Sequence, residues 1–115
     1  MPVLKKEVEL DDGRKVWVRQ AAAMDKLKIE TKQGRVFRKC RHFGPDPSAW
    51  SEDQMDEFLD MCDKEGCGFE AQVELWVPRC LLNEDVDVDT LTSEELLRIL
   101  NVIRGEDDEG AVPLV

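Results

Sequence analysis

The sequence predicts a mainly α (α+β) fold, in which an N-terminal β-hairpin is followed by a bundle of about four helices. Two alternating apolar runs around an Asp-Gly turn favour the hairpin, and apolar residues at helical spacing favour the helices. The chain has 115 residues, which suits one domain. We expect a single globular domain over residues 1–105 and an exposed, mobile acidic tail over residues 106–115.

The hairpin is predicted over residues 3–20. Asp12-Gly13 separates its two runs, and glycine favours such a turn because it adopts positive φ without steric cost. The apolar residues of the two runs are Val8, Leu10, Val16 and Val18. One face of this hairpin must pack on the helical body, because an isolated hairpin is only marginally stable.

Helices are predicted over residues 21–42, 51–64 and about 69–76, and from Thr92 to Gly105. Ser51 with Gln54, and Thr92 with Glu95, match the capping box of a helix N-terminus. Pro78 is expected to limit the third helix. The side chains predicted in the core are Val16, Val18, Leu27, Phe37, Phe58, Leu59, Val73, Trp76, Leu96, Ile99 and Leu100.

The charge is unevenly distributed. The formal net charge is −10, yet residues 1–50 carry 12 Lys/Arg against 7 Asp/Glu, whereas residues 51–115 carry 4 against 19. This asymmetry can orient charged partners, or it can simply solvate the surface.

The four cysteines raise the question of a metal site. Cys40, His42, Cys62 and Cys67 offer three thiolates and one imidazole, which is a ligand set that zinc prefers. The spacing lacks the two short ligand pairs of most structural zinc sites, and Cys62 also fits the apolar stripe of its helix. We therefore expect reduced, buried thiols without metal, and keep a zinc-stabilised interaction module as an alternative.

The acidic segment before the last helix imitates a calcium loop. Its oxygen-bearing residues are Asn83, Asp85, Asp87, Asp89 and Glu94. Val88 stands where an EF-hand loop needs glycine for its sharp turn. We expect these acids to solvate a loop and to favour the N-terminus of the last helix.

No catalytic motif is apparent. His42 is the only histidine, and there is neither a serine nucleophile elbow nor a phosphate-binding glycine loop. We expect no enzymatic activity and no cofactor. The first residues lack a signal-peptide apolar region and no apolar run is long enough to span a bilayer, so a cytoplasmic location without membrane contact is expected.

A docking surface for proteins is predicted on the first helix and the loop that follows it. Its candidate residues are Lys32, Arg35, Arg38 and Arg41, together with an exposed Trp50. A solvated helix face is the alternative for the basic residues, and a packed tryptophan for Trp50. We expect no nucleic-acid partner, although the acidic half suggests a second hypothesis, an inhibitor that mimics DNA and binds a nucleic-acid-binding protein. The sequence leaves homo-oligomers open.

The two ends of the chain resemble the tail assembly chaperones of long-tailed phages. The resemblance lies in the segment from Val8 to Gln20, VELDDGRKVWVRQ, followed by Met24 and a helix, and in the closing helix from Leu91 to Ile103. It covers about half of the chain, and the middle, with Trp50, Cys62, Cys67 and Trp76, matches no motif of that family.

The resemblance implies a hairpin followed by a mainly helical body and a non-enzymatic role in the host cytoplasm. It implies that the chain binds the tape measure protein and recruits tail tube subunits during tail morphogenesis. It also implies a second, longer product made by a frameshift near the C-terminus.

Overall fold

A computed structural model describes residues 3–114 and confirms the hairpin followed by four helices. Met1, Pro2 and Val115, which belong to the predicted domain and tail, lie outside the described residues. The strands are β1 (Leu4–Glu9), β2 (Lys15–Arg19) and β3 (Val112–Pro113), and the helices are α1 (Ala23–Lys39), α2 (Glu52–Glu65), α3 (Phe69–Cys80) and α4 (Ser93–Arg104). The strand order in the sheet is β2-β1-β3.

The hairpin turn forms at Asp12-Gly13, as predicted. Gly13 has a φ of +88°, and its N–H donates to the Leu10 carbonyl at 3.0 Å. Val8 pairs with Val16 across the two antiparallel strands, and both side chains are buried. The sheet packs on α4, which contacts both β1 and β2.

The C-terminal segment differs from the mobile tail that the sequence predicts. Residues 106–110 are exposed, but Val112–Pro113 then form β3 against β1, with Leu4 opposite Pro113. Lys6 forms an ion pair with Asp107 at 2.6 Å. A two-residue strand has no periodic pattern, so the sequence does not signal this return to the sheet.

Both predicted capping boxes form. The Ser51 hydroxyl accepts from the Gln54 N–H at 3.2 Å, and the Gln54 side chain accepts from the Ser51 N–H at 3.0 Å. Thr92 and Glu95 make the equivalent pair of bonds at 3.1 and 2.8 Å. These bonds satisfy N–H groups that a helix start leaves without partners, and they fix where α2 and α4 begin.

The prediction that Pro78 limits the third helix is wrong. Helix α3 continues to Cys80, and the Leu81 N–H donates to the Val77 carbonyl at 2.9 Å. Trp76, Val77 and Cys80 are buried, so packing of the last turn outweighs the hydrogen bond that proline cannot donate.

The core was predicted only in part. Val16, Val18, Trp76, Ile99 and Leu100 are buried, and Phe58 and Val73 pack partly buried against them. Leu27, Leu59 and Phe37 were predicted in the core but are exposed at 53%, 51% and 38%. Helix α1 instead turns Asp25, Ile29 and Val36 inward, and Cys40, which follows its last residue, is also buried.

Within residues 3–114, no helix combines the length and the hydropathy that a membrane crossing requires.

Candidate functional site

The four cysteines are free and buried. The Cys67 thiol donates to the Cys62 carbonyl at 3.4 Å, and the Cys40 sulfur lies 3.6 Å from that of Met61. Burial raises the pKa of Cys62 to about 12 and that of Cys80 to about 11. The protonated thiol is therefore favoured, and these side chains pack as small hydrophobic groups.

The candidate zinc residues are divided between the core and the surface. Cys40, Cys62 and Cys67 are buried, whereas His42 is exposed, with its ring centroid 4.4 Å from that of Phe43. Among residues 3–114, no three His, Cys, Asp or Glu side chains are arranged to hold a metal ion.

Two residues of the candidate calcium loop, Asn83 and Asp87, have side-chain partners, whereas Asp85, Asp89 and Glu94 are exposed. The Asn83 side-chain oxygen accepts from the Trp17 N–H at 2.7 Å, and thereby covers the outer edge of β2. The Asp87 carboxylate accepts from the Asp89 N–H at 3.0 Å and caps a 3-10 turn over Val88–Thr90. This segment therefore lies along the edge of β2 and continues into the turn.

Asp25 is a buried carboxylate that sequence reasoning missed. Arg79 donates to it at 2.7 Å, Arg19 at 3.4 Å and the Ala22 N–H at 3.3 Å. Burial raises the pKa of Asp25, but these hydrogen bonds and the Arg19 charge outweigh burial and hold the pKa below its ordinary value. The Asp25 backbone carbonyl also accepts from the Trp76 indole N–H at 2.9 Å. These partners come from β2, from the N-terminus of α1 and from α3, so the carboxylate joins three elements and is structural.

Trp50 is not an exposed docking residue, contrary to the prediction. It is only 8% exposed, and its indole N–H donates to the Gly44 carbonyl at 3.0 Å. Its ring lies 5.5, 5.5 and 5.4 Å from those of Phe37, Phe43 and Phe58. Such an aromatic group buries a large apolar area, which explains why the tryptophan is packed inward.

The other four predicted docking residues, Lys32, Arg35, Arg38 and Arg41, are exposed, as a docking surface requires. In the part of the chain that the structure describes, none of them forms an ion pair. Arg38 and Arg41 border a depression of about 350 Å³ whose floor includes Gly34 and Phe37. Lys32 borders a separate depression together with Gly66 and Glu74. We call Arg35, Arg38, Arg41 and Phe37 the basic face.

A second surface concavity was not predicted from the sequence. It lies between α3, the Val88–Thr90 turn and the start of α4, and has a volume of about 560 Å³. Its lining is apolar at Phe69, Val73, Pro78, Val88, Leu91 and Leu96, and acidic at Glu70, Glu74 and Asp89. We call this surface the acidic groove. The signal available in the sequence was the helical spacing of Phe69 and Val73, with two glutamates beside them. The sequence did not indicate that these residues face residues 88–96, because that arrangement depends on the tertiary fold.

The chain was compared with protein-family models, with curated proteins and with solved structures, and none of them matches it.

Proposed function

We propose that this chain is a non-enzymatic tail assembly chaperone, which binds the tape measure protein and recruits tail tube subunits in the cytoplasm of a phage-infected cell. The proposal starts from the resemblance of the opening and closing segments to that family. The observation that carries it further is that these two segments form one physical unit in this chain.

That unit is held by three contacts between the hairpin turn and α4. The Glu95 carboxylate accepts from the Asp11 N–H at 3.0 Å, and Arg98 donates to the Glu9 carbonyl at 2.7 Å. Arg98 also forms an ion pair with Asp11. Two segments separated by 70 residues are thus joined, as expected if they form the frame of a shared architecture. The middle, which matches no motif of the family, then supplies the surface particular to this chain.

The basic face supplies a surface for a partner. Its cations have no ion-pair partners among residues 3–114, and the exposed Phe37 adds apolar area beside Arg38 and Arg41. Arginine and aromatic residues are the types most enriched at the energetic centres of protein interfaces. An acidic segment of a long helical tail protein would complement this face.

The test is co-expression with the product of the very long reading frame that should lie just downstream of the gene. We expect the two proteins to co-purify. The double variant Arg38→Glu/Arg41→Glu should weaken the complex by about tenfold or more, since reversing charges at an interface replaces attraction by repulsion.

The matched control is Lys28→Glu/Lys64→Glu, which makes the same change in net charge at two exposed lysines outside the basic face. It should bind like the wild type. Absence of a complex with the tape measure protein argues against the proposed function, and equal weakening by both double variants argues against the basic face as its site.

A further inference from the structure

The acidic groove is an elongated concavity that lies between two walls. On α3 its wall runs from Phe69 through Val73 to Pro78, a distance of about 13 Å at 1.5 Å per residue. The opposite wall is the Val88–Thr90 turn with Leu91 and Leu96. Phe69 is 41% exposed, so an apolar surface is left open to solvent at one end.

The rim of the groove is acidic, and Glu74 also borders a neighbouring depression that Lys28 and Lys32 line. Glu70, Glu74 and Asp89 border it, and no lysine or arginine lines it. None of the three carboxylates forms an ion pair within residues 3–114. The whole segment 51–115 carries 19 Asp/Glu against 4 Lys/Arg, so its field attracts cationic partners.

The backbone around the groove favours recognition through side chains. Its walls are helices and a 3-10 turn, whose backbone groups bond within each element, so no free strand edge is available for an added strand. An apolar channel flanked by charges is the arrangement that receives the apolar stripe of an amphipathic helix.

From these observations we propose that the acidic groove binds a basic amphipathic helix of a partner protein. The apolar stripe of that helix lies on Phe69, Val73 and Leu96, and its lysines and arginines face Glu70, Glu74 and Asp89. This inference is independent of the proposed function, because it concerns a different surface with the opposite charge.

The test is titration of the full-length ¹⁵N-labelled chain with three synthetic peptides of about 14 residues, a length that covers the groove with one turn to spare. The first has leucines at helical spacing flanked by lysines, the second is a scrambled peptide of the same composition, and the third replaces each lysine by glutamate. We expect saturable binding of the first peptide alone, with amide shifts concentrated at Phe69, Val73 and Leu96.

Charge-reversal variants of the chain then test whether the acidic residues at the rim of the groove contribute to peptide binding. Glu70→Lys/Glu74→Lys/Asp89→Lys should weaken binding of the first peptide by about tenfold or more, since three attractive contacts become repulsive. The matched control, Glu106→Lys/Asp108→Lys/Glu109→Lys, changes the net charge equally in an exposed segment and should leave the affinity within about twofold. Phe69→Ala should weaken binding without altering its salt dependence.

Five results would overturn the inference, and the first four concern the peptides and the variants. They are no binding of the first peptide, equal binding of the scrambled peptide, shifts outside the groove, and equal weakening by the two triple variants. Dimerisation of the free chain that only the groove variant abolishes would also overturn it, because the occupant would then be a second copy. None of these outcomes bears on the basic face, whose own test uses Arg38 and Arg41.

Discussion

At the scale of single residues, Asp25 shows how one charged side chain can decide which side of a helix faces inward. It is 5% exposed and has two arginines and a backbone N–H as partners. A buried carboxylate is tolerated only when it is paired in this way. Helix α1 therefore buries a charged side chain, whereas Leu27, whose apolar side chain is more typical of a protein core, lies at the surface.

We expect Asp25→Asn to lower the free energy of unfolding by about 1–3 kcal/mol. This loss of stability is smaller than that expected for a fully buried ion pair, because Arg79 is half exposed to solvent. Urea denaturation at pH 7 measures it. Asp60→Asn, at an exposed position of α2, is the control and should change stability by less than about 0.5 kcal/mol.

The effect of Asp25 should depend on pH in a defined direction. Its pKa in the folded chain lies below the ordinary value of 3.8, so its stabilising contribution is fully present above that value. The contribution is lost as the pH falls through the folded pKa. The difference between wild type and Asp25→Asn should thus stay constant from about pH 5 to 8 and shrink below about pH 4. A difference that grows on acidification would contradict this account.

At the scale of elements, most signals confined to a few neighbouring residues were reliable, and the exception is Pro78, because α3 continues to Cys80. The Asp-Gly turn and both capping boxes could be read from the sequence because their hydrogen bonds join residues no more than four apart. Strand β3 and the inward side of α1 could not, since each depends on a distant partner: Lys5 and Arg79, respectively.

Trp50 was predicted to be exposed, with a packed tryptophan as the alternative, and its packing depends on Phe37 and Phe58 from two different helices. The same limit applies to the candidate sites. The exposed basic residues were found by type, whereas the acidic groove needs two helices brought side by side.

Replacing Gly34 and Gly66 by alanine should change the free energy of unfolding in opposite directions. Gly34 lies inside α1, and a Cβ built there meets nothing within 4 Å, so Gly34→Ala should raise the free energy of unfolding by about 0.5–1 kcal/mol. Gly66 ends α2 with a φ of +77°, a conformation that strains any side chain, so Gly66→Ala should lower it by about 1 kcal/mol. Urea denaturation distinguishes the two.

The Gly34 result also bears on the basic face. If the Gly34→Ala variant is more stable than the wild type but binds the tail protein less well, we infer that glycine is needed at this position to leave the depression beside Phe37 and Arg38 open. Unchanged binding would mean that the glycine has no part in docking.

At the scale of the whole molecule, thiol chemistry should report on global unfolding. All four cysteines are buried, and burial raises the pKa of Cys62 and Cys80 to about 12 and 11, from an ordinary 9.0. Their contribution to stability is complete below about pH 9 and is lost as the pH rises through the folded pKa values, since the unfolded chain ionises first. The chain has no tyrosine, whose phenol would titrate in the same range.

We therefore expect the free energy of unfolding to fall between about pH 9 and 10.5, and Cys62→Ala to reduce that slope. Urea denaturation across this range measures it. At pH 8 a thiol reagent should modify the native chain far more slowly than the urea-unfolded chain. Native thiols that react at the rate of free cysteine would show that the core opens without global unfolding.

The pairing of β3 with β1 has a further consequence for the covalent connectivity of the chain. The Leu114 N–H donates to the Val3 carbonyl at 3.0 Å, so the two described ends lie side by side at one border of the sheet. A linker of a few residues can therefore join these two ends. New termini can then be placed in the exposed Pro45-Asp46 segment between α1 and α2. Such a circular permutant should fold, and it would separate the hairpin and α1 from α2 along the chain while leaving their spatial neighbours unchanged.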